Sequence, residues 1–588
     1  MADEMSNVET VHHWLKRFNS ATDSADYMPL FDTQAYWRDL LALGWNIRTV
    51  EGADAIISAL HDSISDSGLR NLQLDPDATP PRQVTRAGRQ ALEAFIRFDT
   101  HIGRGRGVVR LIADDNRSTD NTAPRVWTLM TALDQISGME ERIGGNRPTG
   151  EVHSRDFRGP NWLDRRIEAA AYADRDPQVL VVGAGQAGLS IAARLTQLGI
   201  DTLVVEKNAR VGDNWRNRYH ALTLHNQIYA NHLPYMPFPS TWPIYIPKDK
   251  LANWFEGYAE AMELNIWTET ELTQGEYDNT NRHWHAIVIR ADGSSREMKP
   301  THIIMATSVS GIPHVPEIPK LNGYQGEVIH ASGYRDGTDH SGKSVLVLGM
   351  GTSGHDIAQD LASNGAGVSM VQRGSTMIIN VEPGAQLPYT LYHEGPSLDE
   401  CDLLTAAMPF PLQRESHLGF TTTAKAQDWP LLEQLQQRGM KLDYGPDDTG
   451  WQFKYLTRGG GYYFNVGASE MIADGTIGLI QFDDIERFSA TGVQLTNGEH
   501  RDVDLVVLAT GYHGMSAMVA RLFGQSTADS IGPIWGFDED GLELRNMYCR
   551  TPQPGLWFIA GSFAQCRINS KYLALQIKAC EEGLMPVR

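Results

Sequence analysis

Two glycine-rich segments, far apart in the chain, constrain its fold more than any other feature. The first has the sequence G-A-G-Q-A-G at residues 183–188, between a short β-branched run and a segment with helical periodicity. The second has the sequence G-M-G-T-S-G at residues 349–354, in the same surroundings. Three glycines at this spacing give a tight turn, let the backbone approach a pyrophosphate and bring a helix close to a strand. We therefore expect two nucleotide-binding units of the strand–turn–helix type.

The first segment is followed by an acidic residue where a ribose ligand is expected. A predicted strand at residues 202–205 leads into Glu206. An acidic residue about 20 positions after the glycines hydrogen-bonds the ribose hydroxyls, and the helix N-terminus binds the phosphates. This pattern predicts a site for an adenine dinucleotide with an unphosphorylated ribose. Its predicted residues are Gly183, Gly185, Gln186, Ala187, Gly188, Glu206 and Lys207.

The second segment has no carboxylate at the corresponding place. The next predicted strand, residues 368–371, is followed by Gln372 and Arg373. An arginine here can bind the 2′-phosphate of NADPH, although arginine is also common as an exposed residue at a strand end. We favour NADPH over NADH on this observation. The predicted residues are Gly349, Gly351, Thr352, Ser353, Gly354 and Arg373.

The chain repeats the same order of elements after each glycine-rich segment. The first unit has a D-G hairpin turn and then a strand-like run at residues 303–308, and the second has an N-G turn before residues 506–511. A last predicted strand, residues 555–561, returns to the first sheet. The predicted fold class is α/β, with two Rossmann-like dinucleotide-binding domains, the second inserted into the first.

A third motif lies between the two glycine-rich segments. It has the pattern aromatic-x-Gly-x-x-x-His-x-x-x-aromatic and runs from Tyr324 through Gly326 and His330 to Tyr334. With this arrangement the chain resembles the flavin-containing monooxygenases, a class that includes the Baeyer–Villiger enzymes and usually has Phe at the first position. The resemblance implies FAD in the first site and NADPH in the second. It also implies that His330 couples nicotinamide binding to the flavin and is neither an acid nor a base.

Further segments resemble the flavin site of that family. Residues 219–239 resemble the stretch that lines the reactive face of the flavin, where His225 and Asn226 are both candidates for the catalytic position. Residues 211–216 are similar to the segment beside the flavin. That similarity implies cofactor contacts from Asn214, Trp215 and Arg216.

The strand that ends each unit carries a related motif. The run A-T-G at residues 509–511 matches the exit motif of the family's second domain and implies cofactor contacts from Thr510 and Gly511. In the first unit the corresponding run is A-T-S, so Ser308 replaces the usual glycine.

The resemblance implies an NADPH- and O2-dependent monooxygenase. In that family NADPH reduces the flavin, O2 adds at flavin C4a to give a hydroperoxide, and one oxygen atom passes to a small organic substrate. Tyr334, in place of the Trp usual in Baeyer–Villiger members, favours N- or S-oxygenation or hydroxylation. Residues 224–225 and 461–467 also resemble the plant-type branch. Oxidative decarboxylation of a 2-oxo acid of indole-pyruvate type is therefore an alternative, and Baeyer–Villiger oxidation is another.

Two other functional classes fit the sequence less well. A disulfide reductase needs a redox cysteine pair, and the four cysteines contain no C-x-x-C motif. A non-catalytic flavin-binding scaffold is the remaining alternative. The stretch at residues 381–460 has no clear motif and is predicted to shape the substrate site, with Trp429, Trp451 and Arg458 among its residues.

The N-terminal region lies outside this resemblance. Its helix and later strand-like runs predict a small α+β domain, and its order of elements looks like that of NTF2-like or SnoaL-like cones. An accessory or oligomerising role, through a homodimer, ranks first there because the second region already supplies the chemistry. The predicted division is residues 1–145 for this domain, 146–176 for a linker, 177–335 and 501–588 for the FAD domain, and 336–500 for the NADPH domain.

The charge and apolar pattern limit the partners. Asp and Glu number 72 against 51 Lys and Arg, which gives a formal net charge of −21. An acidic surface disfavours nucleic acid and anionic membranes. Because no secretory signal, no apolar run of about 18 residues and no paired cysteines are found, a cytoplasmic location without a membrane partner is predicted. The expected partners are a small-molecule substrate and O2.

Overall fold

The computed structural model describes residues 6–113, 124–150 and 157–585. Residues 1–5 and 114–123 of the predicted N-terminal domain, 151–156 of the predicted linker and 586–588 fall outside these ranges, and the sheets and helices counted below are those within them. The chain forms one seven-stranded sheet, two five-stranded sheets and several smaller ones. Within the described ranges, every helix is too short or too polar to cross a membrane.

The N-terminal region folds into helices and the seven-stranded sheet. Its elements are α1 (Asn7–Ser20), α2 (Ser24–Tyr27), β1 (Phe31–Leu40), β2 (Ile47–Glu51), α3 (Ala53–Ser67), β3 (Arg70–Leu74), β4 (Arg82–Arg86), β5 (Arg89–Asp99), β6 (Gly103–Ile112) and β7 (Arg125–Ile136). The strand order is β2-β1-β7-β6-β5-β3, and β4 also pairs with β5. Ser6 and Glu9 form a capping box at the start of α1, which buries Val11, Trp14, Leu15 and Phe18.

The first half of the remaining chain forms the first five-stranded sheet and a small antiparallel sheet. Its elements are α4 (Trp162–Ala171), β8 (Val179–Val182), α5 (Gln186–Gln197), β9 (Thr202–Val205), α6 (Asp213–Arg216), α7 (Lys248–Ala261), β10 (Asn265–Trp267), β11 (Glu271–Asp278), β12 (His283–Ile289), β13 (Ser295–Met298), β14 (His302–Met305) and β15 (Ile312–Pro313).

The second half forms the other five-stranded sheet and then returns to the first. Its elements are β16 (Glu327–His330), β17 (Ser344–Leu348), α8 (Thr352–Ser363), β18 (Gly367–Gln372), β19 (Met377–Asn380), α9 (Leu398–Ala406), α10 (Phe410–Gln437), α11 (Gly450–Arg458), β20 (Tyr462–Asn465), α12 (Ala468–Asp474), β21 (Gly478–Gln481), β22 (Ile485–Phe488), β23 (Gly492–Leu495), β24 (His500–Asp502), β25 (Leu505–Leu508), β26 (Tyr512–His513), α13 (Met515–Phe523), α14 (Gln525–Ile531), β27 (Leu556–Phe558) and α15 (Phe563–Glu581).

Both five-stranded sheets are parallel, as the alternation of strands and helices predicts. The first has the order β10-β9-β8-β14-β27, so the predicted return of the last strand to the first sheet is confirmed. The second has the order β16-β25-β17-β18-β21. The two predicted hairpins are also present, as β12–β13 and β23–β24. The chain thus has a mixed α/β fold with Rossmann-like parallel sheets.

The structure differs from the sequence predictions in two places. β16 and β25 lie outside the range 336–500, yet both pair in the second sheet, with β25 between β16 and β17. The apolar periodicity predicts helices that begin at Ser190 and at about His355, but α5 and α8 begin at Gln186 and Thr352, because the first turn of each is built from small and polar residues of the glycine-rich segment.

One face of the N-terminal sheet packs against the segment around α9. Arg110 on β6 is 1% exposed and donates to the carbonyls of Ala407 (3.0 Å) and Leu404 (3.3 Å). Its Nε also donates to the Glu93 carboxylate at 2.8 Å. Burial alone would raise the pKa of Glu93, but Arg110 and Arg86 outweigh it and lower that pKa to about 2. The buried Glu93–Arg110 ion pair lies within the N-terminal sheet, and the hydrogen bonds that Arg110 donates to the two carbonyls join this sheet to the segment around α9.

We expect Glu93→Gln to lower the free energy of unfolding by about 3–5 kcal/mol, because the buried Arg110 loses its counter-ion. Glu276→Gln, at an exposed position on β11, is the matched control and should change it by less than about 0.5 kcal/mol. Urea denaturation of the FAD-loaded protein measures both. The stabilisation that the Glu93–Arg110 pair gives to the folded state is present above the usual pKa of Glu93, 4.5, and is lost as the pH falls toward 2. Equal stability of the two variants at neutral pH would contradict this account.

Candidate active site

The first glycine-rich segment forms a tight loop between β8 and α5. Gly183 has a φ of +104°, and a Cβ there would lie 2.9 Å from the carbonyl oxygen of Ala306. A Cβ on Gly188 would lie 1.8 Å from the oxygen of Gly183, which no side chain tolerates. Gly185 faces only the Asn214 amide, 3.2 Å from the position of an added Cβ. Gly183 and Gly188 are therefore required by the close packing of the loop, whereas Gly185 leaves its backbone open on one side.

Glu206 lies beside this loop, immediately after β9. It is 7% exposed, and its Oε2 accepts a hydrogen bond from the N–H of Ala184 at 2.8 Å. Its Oε1 accepts from the N–H of Asn208 at 2.9 Å. The structure therefore brings the predicted ribose ligand to the loop, with its carboxylate oriented by the backbone. Lys207 is exposed at the adjoining position.

The second glycine-rich segment repeats this geometry between β17 and α8. A Cβ on Gly349, whose φ is +124°, would lie 2.2 Å from the oxygen of Ala509, and one on Gly354 would lie 2.3 Å from the oxygen of Gly349. Thr352 Oγ1 donates to the carbonyl of Tyr462 at 3.0 Å. Arg373 follows β18 and is exposed.

The two exit runs have the same backbone form. Gly511 has a φ of +82°, and Ser308, at the corresponding place in the first unit, has a φ of +67°. Left-handed backbone is strained for a residue with a Cβ, so the replacement of glycine noted in the sequence costs local stability. Thr510 Oγ1 donates to the carbonyl of His314 at 2.6 Å.

His330 lies where the chain crosses between the two five-stranded sheets. The two connecting strands, β15 and β26, pair with each other there. The Nε2 of His330 is 3.1 Å from the carbonyl oxygen of Gly511, and its Nδ1 is 2.9 Å from Ser332 Oγ. Burial lowers the pKa of His330. The imidazole therefore contacts the backbone of a connecting strand, as suits a positioning role.

A cavity of about 330 Å³ lies next to the first loop. Gln186 lines it and donates to the carbonyl of Gly561 at 3.2 Å, which joins the loop to the start of α15. Ten of its described lining residues are Trp, Tyr or Phe, and they include Trp215, Tyr389, Trp451, Tyr462 and Phe464. Tyr462 also accepts a hydrogen bond from Thr352, so a residue that lines the cavity contacts the second glycine-rich loop as well. We call it the aromatic cavity.

His225 and Asn226 both line the aromatic cavity. The ring of His225 packs edge-on against Phe464 at 4.5 Å between centroids. Burial lowers its pKa to about 4, so it is uncharged at neutral pH. Asn226 Nδ2 donates to the hydroxyl of Tyr389 at 3.1 Å, while its Oδ1 is buried without a hydrogen-bond partner in the described part of the chain.

The other predicted flavin contacts are distributed around this centre. Trp215 stacks on Phe563, and its buried Nε1 also has no partner among the described residues. Arg216 is already engaged by Asp213 and Glu256. Its charge is therefore largely neutralised by the protein itself.

The residues present fit a dinucleotide at each loop. No side chain caps α5 or α8, so the N–H groups of their first turns remain for phosphate oxygens. A Cβ at residue 351 would have no atom closer than 4.0 Å, which leaves room beside the backbone there as well. The unpaired polar atoms of Trp215 and Asn226 suit the polar edge of a bound ring system.

Sequence reasoning located part of the cavity wall. Trp451 lines it as predicted, but Trp429 lies on α10, is 40% exposed and is not part of the lining. Arg458 does not line it either. Arg38 on β1 and Glu543 contribute to the wall and were not predicted, because no local pattern marks a strand residue that faces a distant part of the chain.

Comparisons with known proteins agree with this geometry. A family model described as pyridine nucleotide-disulphide oxidoreductase matches residues 180–389. The probable indole-3-pyruvate monooxygenase YUCCA8 of Arabidopsis thaliana is 31% identical over 337 residues, which cover 57% of this chain and 74% of the relative.

Solved structures share the fold. Cyclohexanone monooxygenase from Rhodococcus sp. Phi1 bound to NADP+ is 15% identical with a TM-score of 0.50, covering 69% of this chain and 85% of that one. The complex of OTEMO with FAD and NADP is also 15% identical with a TM-score of 0.50, covering 70% and 87%.

The expectations of a monooxygenase and of FAD and NADPH as its cofactors are confirmed by these relatives. Three of the four cysteines are buried and the sequence has no C-x-x-C motif, so the family model's disulfide chemistry has no redox cysteine pair to act through. This chain belongs to the flavin monooxygenases and is an FAD- and NADPH-dependent enzyme that incorporates one atom of O2 into a small molecule.

Proposed function

We propose that this monooxygenase oxygenates a small aromatic substrate at a nitrogen or sulfur atom, or hydroxylates it, within the aromatic cavity. One observation carries the proposal: Gln186 of the first glycine-rich loop and the pair His225 and Asn226 face the same cavity as Trp451 and Phe464. Bound FAD, reduced by NADPH, supplies the oxygen chemistry. The chain's own residues hold the cofactors, exclude water and position the substrate.

The first loop holds FAD and the second holds NADPH in this proposal. The uncapped N-terminus of α5 binds the FAD pyrophosphate, and Glu206 accepts the ribose hydroxyls. The uncapped N-terminus of α8 binds the NADPH pyrophosphate, and Arg373 meets the 2′-phosphate. His330 and Thr510 position the connecting strands between the two sites. Asn226, with its unpaired amide oxygen, is the residue we assign to contact with the reacting centre.

A second candidate reaction is the oxidative decarboxylation of a 2-oxo acid. Its support is the similarity to the Arabidopsis relative, a probable indole-3-pyruvate monooxygenase. Baeyer–Villiger oxidation of a ketone is a further alternative. Incubation with NADPH, isotopically labelled O2 and a panel of aromatic amines, sulfides, ketones and 2-oxo acids separates these reactions by product mass. Peroxide release without labelled product from any member of the panel would contradict the proposal.

We also propose the organisation of the chain. The N-terminal region is an NTF2/SnoaL-like domain, which its helices on a strongly paired sheet support. The FAD domain comprises residues 177–323 and 511–588, and the NADPH domain comprises residues 324–510, because β16 and β25 pair in the second sheet. A homodimer through the N-terminal domain and a cytoplasmic location remain predictions. Light scattering of the purified chain tests the first.

Replacing Gly188 with Ala is expected to abolish stable FAD binding. The added Cβ would lie 1.8 Å from the oxygen of Gly183, so the loop must move away from its phosphate-binding form. The measurement is the flavin-to-protein absorbance ratio after reconstitution. Gly257→Ala on α7, where an added Cβ meets no atom within 4 Å, is the control and should keep its FAD. Full FAD retention by the Gly188 variant would show that the loop does not hold the cofactor.

Arg373→Ala is expected to raise the KM for NADPH about tenfold, because a charge-assisted hydrogen bond to the 2′-phosphate is lost. The KM for NADH should change little, since that cofactor has no such phosphate. Steady-state flavin reduction with each cofactor measures the difference. Arg487→Ala, at an exposed position on β22, is the control. An equal rise for both cofactors would remove Arg373 from the phosphate site.

Asn226→Ala is expected to raise the share of consumed NADPH that appears as hydrogen peroxide. The amide contacts the reacting centre in our proposal, so its loss impairs oxygen transfer and leaves flavin reduction by NADPH nearly unchanged. Peroxide and NADPH are assayed together. The neighbouring amide variant Gln227→Ala, whose side chain lies outside the cavity lining, is the control. Unchanged coupling in the Asn226 variant would assign the role to His225.

A further inference from the structure

The aromatic cavity contains two ionised side chains among the described residues that line it, and they neutralise each other. Arg38 comes from β1 of the N-terminal sheet, and Glu543 comes from the loop before β27. They form a two-pronged ion pair, with Arg38 Nε 2.8 Å from Glu543 Oε1 and Arg38 Nη2 2.7 Å from Oε2. Their side chains are 11% and 12% exposed. We call this pair the Arg38–Glu543 clasp.

The remaining contacts hold the clasp in one geometry. Arg38 Nη1 donates to the carbonyl of Ala406 at 2.6 Å, and its guanidinium lies 5.7 Å from the ring centre of Phe410. Thr49 Oγ1, on the neighbouring strand β2, donates to Glu543 Oε1 at 2.7 Å. Each of the three guanidinium nitrogens of Arg38 therefore already donates to a protein oxygen.

We infer that the N-terminal region forms a wall of the substrate cavity, and that its clasp restricts the site to uncharged aromatic substrates. The inference rests on the proposed function of the aromatic cavity and names the substrate class that this cavity takes. It gives the N-terminal region a part in substrate selection, where the sequence predicted an accessory or oligomerising role.

The physical argument is a balance of charges at two side chains that are largely removed from solvent, 11% and 12% exposed. An anionic substrate entering the cavity must lose its hydration, and that loss is offset only by a cation that can pair with it. Among the described residues that line the cavity, Arg38 is the one cation. It is already paired with Glu543, whose carboxylate repels a second anion. A cationic substrate would need a free carboxylate, but Glu543 is already paired with Arg38, whose guanidinium repels a second cation. An uncharged ring system loses little hydration and gains contacts with the aromatic lining.

A second ion-pair cluster in the same region provides the comparison. Arg82 and Arg86 of β4 bind Glu394 at 2.9 and 2.7 Å and so also join the N-terminal sheet to the rest of the chain. None of these three residues lines the aromatic cavity. If the clasp had only a structural role, neutralising either cluster would have the same effect on substrate binding. If the clasp selects substrates by charge, only a change in the clasp alters that binding.

The experiment uses FAD-loaded protein and two probes of nearly the same shape, indole-3-acetamide and the indole-3-acetate anion. Equilibrium dialysis gives the Kd of each without any turnover. For the wild-type chain we expect the acetamide to bind about tenfold more tightly than the acetate or better, which corresponds to one unpaired charge in a largely dry site. Equal affinity for the two probes would overturn the inference, whatever the variants do.

The variant Glu543→Gln frees the guanidinium of Arg38 to pair with an anion. We expect the Kd of the acetate to fall about tenfold while that of the acetamide stays within about twofold. The control Glu394→Gln should leave both values within about twofold. FAD content and far-UV circular dichroism establish that each variant is folded. An unchanged acetate affinity in a folded Glu543 variant, or an equal gain in the Glu394 variant, would count against the clasp.

These outcomes are distinct from failure of the proposed function. If the protein lacked NADPH-dependent oxygen transfer, the labelled-O2 experiment would show it, and the binding preference would still be measured. If oxygen transfer occurred and the anion bound as well as the amide, only the restriction to uncharged substrates would fail.

Discussion

The close approach of two backbone carbonyls to glycines determines how each nucleotide-binding unit is built. In both units the third glycine lies against the oxygen of the first, at a distance that excludes any Cβ. The first glycine in turn lies against a carbonyl of the exit strand, Ala306 in one unit and Ala509 in the other. Loop, helix and exit strand are therefore packed as one assembly. The uncapped helix N-terminus, the acidic or basic residue after the next strand and the connecting strands all take their positions from it.

The features that follow from local constraints were predictable from the sequence. The glycine spacing marks both loops, and Glu206 and Arg373 follow because a strand of fixed length leads to them. The starts of α5 and α8 were placed too late, because apolar periodicity begins only after the first turn of small residues. The membership of β16 and β25 in the second sheet was not predictable from periodicity. It depends on pairing between strands more than 150 residues apart, and no local pattern encodes such a pairing.

The cavity was predictable only in part, for a related reason. Tyr462 and Phe464 of β20 belong to a stretch that resembles known enzymes, and Trp451 belongs to the stretch at residues 381–460 that was predicted to shape the substrate site; all three line the cavity. Arg38 lies in a strand whose pattern indicates only alternation between two faces. The face that carries Arg38 is covered by α9, the start of α10 and the loop that holds Glu543. A contact between residues 505 positions apart is decided by the packing of whole units, so a single sequence gives no sign of it.

Two of the ion pairs formed by residues of the N-terminal sheet have different surroundings. Glu93 and Arg110 lie among backbone carbonyls in a sealed interface, where each charge has several partners. Arg38 and Glu543 satisfy each other at the edge of a cavity. Well-packed apolar residues of similar size often give as much stability as a buried ion pair, so stability alone does not account for two charged side chains in a cavity wall whose other described residues are uncharged. An apolar wall could not hold strand β1 through a directed ion pair and at the same time disfavour the binding of a charged substrate. Arg38 and Glu543 therefore contribute to the attachment of the N-terminal region and, in our inference, also determine the selectivity of the cavity.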